Sequence, residues 1–407
     1  MKKVLIVNQF ACLPEESSGT RHYSLSKYFS KYNWKAFIIA GSIEHSTSKQ
    51  RLRKNQKIKL KIIDNVTFFL IKLKKHKSSS LKFRIFNMII FFIKLISTKF
   101  DKYIEKPDVI IGSTISPLAA LGALIISWRY RVPFIYEVRD LWPETLIEMN
   151  VIKRKSLISF LIDLLDIFLA KRSFKTICLM PGGPKYYMKK GISKDKLIWI
   201  PNGVEEDKKF IYEEKITSSK FKIIYLGSHG PSNALKTIIY AASYLKNKGI
   251  NLNLFEIKLI GDGPLKDEMK NLTKLLKLSN IVFEDSVPKS QVQEKLKTAD
   301  ALVLTMNNIP KLYQYGISFN KIFDYLYSGR PILMTSCATN NYIEISKSGL
   351  ISPAEDYKIL GKNILKMMEY SNSQRNIMGL RGREYVLKNF LYKNLSEQLV
   401  NTLNNSI

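Results

Sequence analysis

The chain has 407 residues, 45% of them apolar, and 65 Lys+Arg against 34 Asp+Glu, for a formal net charge of +31. That length suits two domains of about 200 residues, and that apolar fraction lets each bury a core, which excludes a disordered chain. Three scattered cysteines (Cys12, Cys178, Cys337) and four histidines (His22, His45, His76, His229) without close Cys/His spacing argue against a disulfide framework and a structural zinc site.

The charge is unevenly spread. Residues 1–200 hold 37 Lys+Arg and 14 Asp+Glu, a net +23, while the remainder holds 28 and 20, a net +8. Within 49–106 there are 17 basic residues and 3 acidic ones. A lysine-rich proteome would account for the total but not the asymmetry, which points to an anionic partner: phospholipid, a pyrophosphate substrate or nucleic acid.

In chain order, Val4–Val7 is too short for a signal-peptide core and reads as the first buried strand, within VLIVNQF (4–10). GTRHYSLSKYFSKY (19–32) has helical spacing and KAFIIAG (35–41) is strand-like. DVIIGS (108–113), helical PLAALGALIISWRY (117–130), PFIYEV (133–138) and TICLM (176–180) continue the alternation. Strands separated by helices predict a parallel sheet covered on both faces. WIPNGVEED (199–207) breaks the pattern and is the expected link between a domain at 1–200 and one at 201–384. The scheme then repeats: KIIYLGS (222–228), NALKTIIYAASYLKNKG (233–249), IKLIGDG (257–263), PLKDEMKNLTKLLKLS (264–279), NIVFED (280–285), SQVQEKLKTAD (290–300), ALVLTM (301–306), KIFDYLYSG (321–329) and PILMTS (331–336). The last stretch, about 385–407, reads as a helix with no strand after it, free to pack back on either domain. Two doubly wound domains facing a central cleft are expected, with ligands at the carboxyl ends of the strands.

No uninterrupted apolar run of about 18 residues is present, so no spanning helix is expected and the protein reads as cytosolic or peripheral. LKFRIFNMIIFFIKLISTKF (81–100) has an apolar centre bounded by Lys82, Arg84, Lys94, Lys99 and Lys102, the pattern of an interfacial helix on anionic lipid; a core helix is the alternative. LISFLIDLLDIFLAKR (157–172) carries Asp163 and Asp166 and is expected to pack in the core.

No G-x-x-x-x-G-K-[ST] occurs and no two aspartates sit two apart, so neither a P-loop nor the usual metal-binding carboxylate pair of metal-dependent sugar transferases is present. The GDGP at 261–264 is a weak dinucleotide signal. A diphosphate leaving group must then be neutralised by cations and helix N-termini. Gly19, at a loop-to-helix junction, and Gly227 and Gly230, in the equivalent turn of the second half, are candidates for phosphate contact, although turn chemistry alone explains glycines there. In SFNKIFDYLYSGRP, Lys321 brings positive charge to a helix start, and Asp324 follows on the same face, suited to two vicinal ribose hydroxyls or to an ion pair with Lys321. The densest polar cluster is EVRDLWPE, Glu137 to Glu144, directly after a strand; a structural salt-bridge network is its alternative reading.

The N-terminal loop ending in GTRHY, EVRDLWPE, PNGVE (201–205), YLGSHG, IGDGPLKDEMK, TADALVL and ISFNKIFDYLYSGRPIL resemble, in order and over nearly the whole chain, glycosyltransferase family 4, and within it the WbuB-like bacterial enzymes of surface-polysaccharide assembly. The resemblance implies a GT-B fold, a nucleotide diphosphate held mainly by the C-terminal domain, independence of metal and cofactor, retention at the anomeric carbon, and a C-terminal helix crossing back onto the N-terminal domain. It assigns Gly19, Gly227, Gly230, Asn320, Lys321 and Asp324 to the donor, Arg139, Asp140 and Lys321 to the chemistry, and Arg21, Glu137, Trp142, Glu144 and Asn202 to the acceptor side. The implied partners are a UDP-sugar and an undecaprenyl-diphosphate-linked saccharide at the inner face of a bacterial membrane. Three positions depart from the pattern. Gly316 replaces a common Glu eight residues before Asp324, Asn233-Ala234 replaces a Lys-Gly with Lys236 only nearby, and Arg139-Asp140 replaces His-Asp. Lys321 is left as the main cation. A UDP-sugar 2-epimerase would share this fold but need no acceptor. A nucleic-acid-binding protein would explain the charge, but the basic stretches lack interleaved aromatics or a docking motif, so no nucleic acid is expected.

Overall fold

Val4, Leu5, Ile6 and Val7 are all shielded from solvent, as a strand must be when helices cover both faces of its sheet. A computed structural model describes residues 1–16, 19–44, 49–74, 81–207, 210–216 and 220–407 of the chain, the side chains of Leu81 and Lys82 excepted. His45 and His76 lie outside the described residues. The chain divides into two units. The first comprises Met1–Asn202, Tyr315–Ser318 and Tyr392–Ile407, the second Gly203–Gln314 and Phe319–Leu391.

In the first unit, strands β1 (Lys2–Val7), β2 (Trp34–Gly41), β3 (Ile58–Ile63), β4 (Val66–Ile71), β5 (Val109–Ser113), β6 (Phe134–Val138), β7 (Lys175–Cys178) and β8 (Leu197–Trp199) form one sheet, ordered β3-β4-β2-β1-β5-β6-β7-β8. All pairs are parallel except the β3–β4 hairpin. The order reverses between β1 and β5, the switch point where open sheets bind ligands. Its helices are α1 (Arg21–Ser26), α2 (Leu81–Ser97), α3 (Pro117–Tyr130), α4 (Glu144–Glu148), α5 (Leu157–Arg172) and α6 (Gly183–Lys189). The single helix expected from residue 19 is shorter: α1 is one turn and a half, followed by a 3-10 turn at Phe29–Tyr32. α2 packs on α3 and α3 on α5, giving one helical layer.

α5 overturns its predicted place in the core. Asp166 faces inward and much of the helix's apolar surface faces out: Leu157 is 71% exposed, Phe160 58%, Leu161 54% and Leu164 48%, while Asp166 is 1% exposed. The reason is local. Asp166 Oδ1 accepts from Tyr136 Oη at 2.8 Å and Tyr187 Oη at 2.7 Å, with Lys190 Nζ 3.6 Å from its other oxygen. Burial pushes this carboxyl up to about 6, opposed by Lys190 and the two hydroxyls. Lys190 also binds Asp163. A buried carboxylate must keep such partners, so they fix the roll of the helix.

The second unit's strands, β9 (Phe221–Leu226), β10 (Phe255–Ile260), β11 (Ile281–Glu284), β12 (Ala301–Leu304), β13 (Ile332–Ser336) and β14 (Gly349–Pro353), form an all-parallel sheet ordered β11-β10-β9-β12-β13-β14. Numbered from β9 this is 3-2-1-4-5-6, the Rossmann order, with its switch point between β9 and β12. Helices α7 (Lys236–Asn247), α8 (Lys266–Leu275), α9 (Val292–Leu296), α10 (Pro310–Tyr313), α11 (Asn320–Tyr327), α12 (Tyr342–Ile345), α13 (Tyr357–Glu369) and α14 (Asn372–Asn389) complete it. The fold is therefore two Rossmann-like α/β domains. The helix expected over 385–407 is two: α14 ends at Asn389, Phe390 leaves helical geometry, and a C-terminal helix, Tyr392–Asn404, follows. That helix packs on α1, with Leu395, Leu399, Val400 and Leu403 in the first unit's core.

Candidate active site

In the first unit the switch point is closed by a buried polar network. Arg21 Nε donates to Glu137 Oε1 at 2.9 Å and its Nη2 to the Ile200 carbonyl at 2.9 Å; Nη1 donates to the Pro201 carbonyl. His22 Nε2 and Ser113 Oγ lie 2.6 and 2.7 Å from Glu137 Oε2, and His22 Nδ1 is 3.1 Å from Asn8 Nδ2. Burial alone would raise the Glu137 carboxyl, but Arg21 and His22 hold it well below the usual carboxylate range. Burial lowers the His22 pKa, opposed by Glu137, and the ring bridges the Glu137 carboxylate at Nε2 and the Asn8 amide at Nδ1. Arg21 and Glu137, expected on the acceptor side, are thus almost wholly buried and pin β6, α1 and residues 200–201 together.

Other expected acceptor-side residues are also engaged. Glu144 opens α4 and accepts from Arg154 at 3.0 and 3.1 Å. Buried Asn202 donates its backbone N–H to Ser318 Oγ at 2.8 Å and its side-chain amide to the Ser318 carbonyl. The Trp142 carbonyl accepts from Tyr186 Oη at 3.1 Å, and the indole N–H finds no partner among the described residues. Arg139 and Asp140 differ. Both are half-buried just past β6, where the Arg139 N–H donates to Thr114 Oγ1 at 3.0 Å. Burial raises the Asp140 pKa, opposed by Arg139 beside it. Gly19 stands two residues before α1, beside Ser17 and Ser18, which are outside the described residues.

In the second unit the loops after β9 and β10 meet. Gly227 N–H donates to the Ile260 carbonyl and His229 N–H to the Asp262 carbonyl, at 3.0 and 2.9 Å. At Gly261 φ is +147°, and a Cβ there would lie 1.9 Å from the Gly227 carbonyl oxygen. The GDG glycine therefore serves loop–loop contact. Gly230 has an ordinary φ of −99° and precedes Pro231.

Over this loop lies Lys321. It is the second residue of α11, whose first residue is Asn320 and whose N-cap, Phe319, supplies no side-chain bond to the free N–H groups. Lys321 Nζ donates to Tyr225 Oη at 3.2 Å and to Asn233 Oδ1, and sits 5.0 Å over the Tyr225 ring. A Cβ at Gly227 would lie 3.0 Å from Tyr225 Oη and 3.7 Å from Lys321 Cδ. Among the described residues no carboxylate pairs with Lys321, and burial lowers its pKa to about 7. Tyr325 Oη accepts from the Leu226 N–H at 2.6 Å and donates to the Leu226 carbonyl at 3.1 Å, tying α11 to the end of β9.

The ion pair between Lys321 and Asp324 that stood as the alternative role of Asp324 does not form. Lys289 Nζ instead donates to both oxygens of buried Asp324, at 2.5 and 2.6 Å. Lys236 is occupied by Glu268 at 2.6 Å. Tyr225, Asn233 and Lys289 were not singled out from the sequence for this site; the only available hint was Asn233 standing where family members carry Lys. Among the described residues no three His, Cys, Asp or Glu side chains gather where a metal ion could be held.

A lysine with no carboxylate partner among the described residues, at an uncapped helix start over a glycine loop, at the switch point of a Rossmann-ordered sheet, is an arrangement that can receive an anion such as phosphate. Residues 206–385 match the family model for Glycosyl transferases group 1. No curated protein matches the chain by sequence. Among solved structures, the chain is similar to the sucrose-phosphate synthase of Thermosynechococcus elongatus, 13% identical over 100% of this chain and 99% of that one, with a TM-score of 0.73. An E. coli trehalose-6-phosphate structure bound with UDP-2-fluoro glucose is 10% identical over 100% of both chains, with a TM-score of 0.74. Anabaena HepE in complex with UDP and glucose is 14% identical over 99% of both, with a TM-score of 0.67. These likenesses establish the GT-B fold.

Proposed function

We propose that the chain moves a sugar from a UDP-sugar to a lipid-linked saccharide, with retention at the anomeric carbon and without a metal. Lys321 carries this reading: among the described residues this half-buried ammonium has no carboxylate partner, and it lies over the Gly227 loop in the unit that matches the glycosyl transferases model, where an incoming diphosphate would supply the missing counter-charge. The solved relatives with UDP, glucose and UDP-2-fluoro glucose support the donor class. The resemblance of EVRDLWPE and SFNKIFDYL to the WbuB-like branch supports an N-acetylated or 6-deoxy amino sugar, an undecaprenyl-diphosphate acceptor, and a place in O-antigen or capsule assembly. The basic first unit supports a peripheral position on the inner face of the cytoplasmic membrane.

In this reading the acceptor hydroxyl attacks the anomeric carbon from the face the diphosphate leaves. The bond from that carbon to the phosphate oxygen breaks, the glycosidic C–O bond forms, and the hydroxyl proton passes to the departing phosphate oxygen. The Lys321 ammonium and the free N–H groups of α11 stabilise the charge that develops on the diphosphate. Asp324 accepts the ribose hydroxyls, and Arg139 and Asp140 are assigned to the sugar and acceptor.

The test is a thermal-shift panel of nucleoside diphosphates and nucleotide sugars. Ligand at a hundredfold excess over its Kd stabilises by about 2.7 kcal/mol, so UDP and the true UDP-sugar should stand out. Stabilisation by another base alone, or by none, would reject the donor. With the donor known, conversion of an undecaprenyl-diphosphate saccharide to a product one sugar heavier tests the acceptor. Epimerised donor appearing without acceptor would favour the 2-epimerase.

A further inference from the structure

The outward face of the α2–α3–α5 layer is apolar across all three helices. On α5 the exposed residues are Leu157, Phe160, Leu161 and Leu164, and on α2 they include Phe86, Ile89 and Ile93. Between them the outer stripe of α3 runs Leu118, Leu121, Ile125 and Trp128, half-buried by its neighbours until Trp128 emerges. Monomeric soluble proteins seldom expose apolar surface on this scale without a partner. Only two acidic residues occur in the three helices, Asp163 and Asp166. Asp166 is turned inward, and partly exposed Asp163 is neutralised by Lys190, which also lies beside Asp166. The rim is basic: exposed Lys94, Arg129, Lys153, Lys155, Lys171 and Arg172 border the layer.

We infer that this face docks on an anionic lipid bilayer, with α5 as a principal insertion element beside the α2 segment. Charge decides the occupant. A second copy seated on the same face would oppose two basic rims, whereas an anionic headgroup layer neutralises them while the exposed leucines and aromatics enter the acyl boundary. The shape agrees, because exposed side chains along helices lying in one layer suit an interface, and among the described residues no helix is long and apolar enough to cross a membrane. The inward roll of Asp166 and the pairing of Asp163 with Lys190 are what make α5 available. A carboxylate on the outer face would be repelled by the headgroups and would be costly to desolvate. The inference extends the membrane part of the proposed function to α3 and α5 and is independent of the donor chemistry.

Flotation of the full chain with vesicles of phosphatidylcholine alone, or of phosphatidylcholine with phosphatidylglycerol, tests it. The wild type should float with the anionic vesicles and weakly or not at all with the neutral ones. The exposed-site variant Leu161→Gln/Leu164→Gln should bind about tenfold or more weakly, with its circular dichroism and cooperative thermal unfolding retained as proof of folding. Lys153→Glu/Lys155→Glu should lose the preference for anionic vesicles. Wild type that floats with neither vesicle overturns this inference and the membrane part of the proposed function together. An α2 variant, Ile89→Gln/Ile93→Gln, that loses flotation while the α5 variant keeps it overturns this inference alone. A wild-type dimer by light scattering that the α5 variant converts to monomer, with vesicle binding unchanged, overturns it in favour of a second copy.

Discussion

Lys289 holds both carboxylate oxygens of Asp324, while Lys321, one turn before Asp324 on the same helix, keeps an ammonium with no carboxylate beside it. The acid of α11 is neutralised from a neighbouring segment, and the base of α11 is left for a ligand.

Lys289→Ala strips a buried carboxylate of its partner and should destabilise the protein by about 1–3 kcal/mol, toward the lower end because Lys289 is partly exposed. In a double-mutant cycle with Asp324→Ala the losses should fall short of additive by about 0.5 kcal/mol or more, read from urea unfolding. UDP affinity should fall in Asp324→Ala and not in Lys289→Ala. Additive stabilities would mean the pair contributes nothing.

Lys321→Ala should lower kcat roughly 100-fold or more, as the loss of an oxyanion donor does; unchanged kcat would remove Lys321 from the chemistry. Its folded pKa of about 7 lies below the 10.5 of an ordinary lysine. Between these values the unfolded chain holds the extra proton, so stability contributed at this residue rises with pH from 7 toward 10.5. Lys321→Met should remove that slope in pH-dependent unfolding. A bound diphosphate favours the ammonium, so UDP-sugar affinity should be flat below about pH 7 and weaken above it. A calorimetric titration at several pH values would show proton uptake on binding above pH 7 in the wild type and none in the variant.

Glu137→Gln keeps the shape of the first unit's network but leaves the Arg21 guanidinium buried without its counter-charge, a change that typically costs about 3–5 kcal/mol. The folded Glu137 carboxyl is held well below its usual 4.5. Its stabilising contribution is therefore complete above pH 4.5 and is lost as pH falls through the depressed folded value. Acid unfolding should consequently be shallower in the variant than in the wild type. Equal acid sensitivity would deny Glu137 this role.

Gly261→Ala places a Cβ 1.9 Å from the Gly227 carbonyl oxygen at a φ of +147°. The two loops must part, at a cost of about 1–3 kcal/mol for the backbone conformation alone. Since Gly227 lies against Tyr225 Oη and Lys321, UDP binding should weaken with stability. Gly230→Ala, at an ordinary φ with the Ser228 hydroxyl 3.2 Å and the Asn233 amide nitrogen 3.9 Å from the added Cβ, should leave folding intact by the same thermal measurement.

Several of these features were legible in the linear chain. The strands announced themselves because double-sided burial demands continuous apolar runs such as Val4–Val7 and Ala301–Leu304. Lys321 was legible because a lysine at a helix start carries its own local electrostatic meaning. Its counterpart Lys289 was not, since it lies 35 residues from Asp324 and only the packing of neighbouring segments brings them together. Arg21 and Glu137, 116 residues apart, were assigned to the acceptor side, with a salt-bridge network as the alternative for Glu137, because polarity at a strand end looks the same whether it faces a ligand or another buried charge.

Residue order alone was enough for the alternation of strand and helix, the charge asymmetry, and a lysine at the start of α11, since each depends on spacing or local chemistry. The roll of α5 was beyond it. Leucines and aspartates share that helix, and its composition favours neither face. Two tyrosine hydroxyls and Lys190, contributed by β6 and α6 or just past it, drew Asp166 inward and turned the leucines out. Which side of an amphipathic helix meets the core is settled by the partners its polar groups find, and those exist only once the chain has folded.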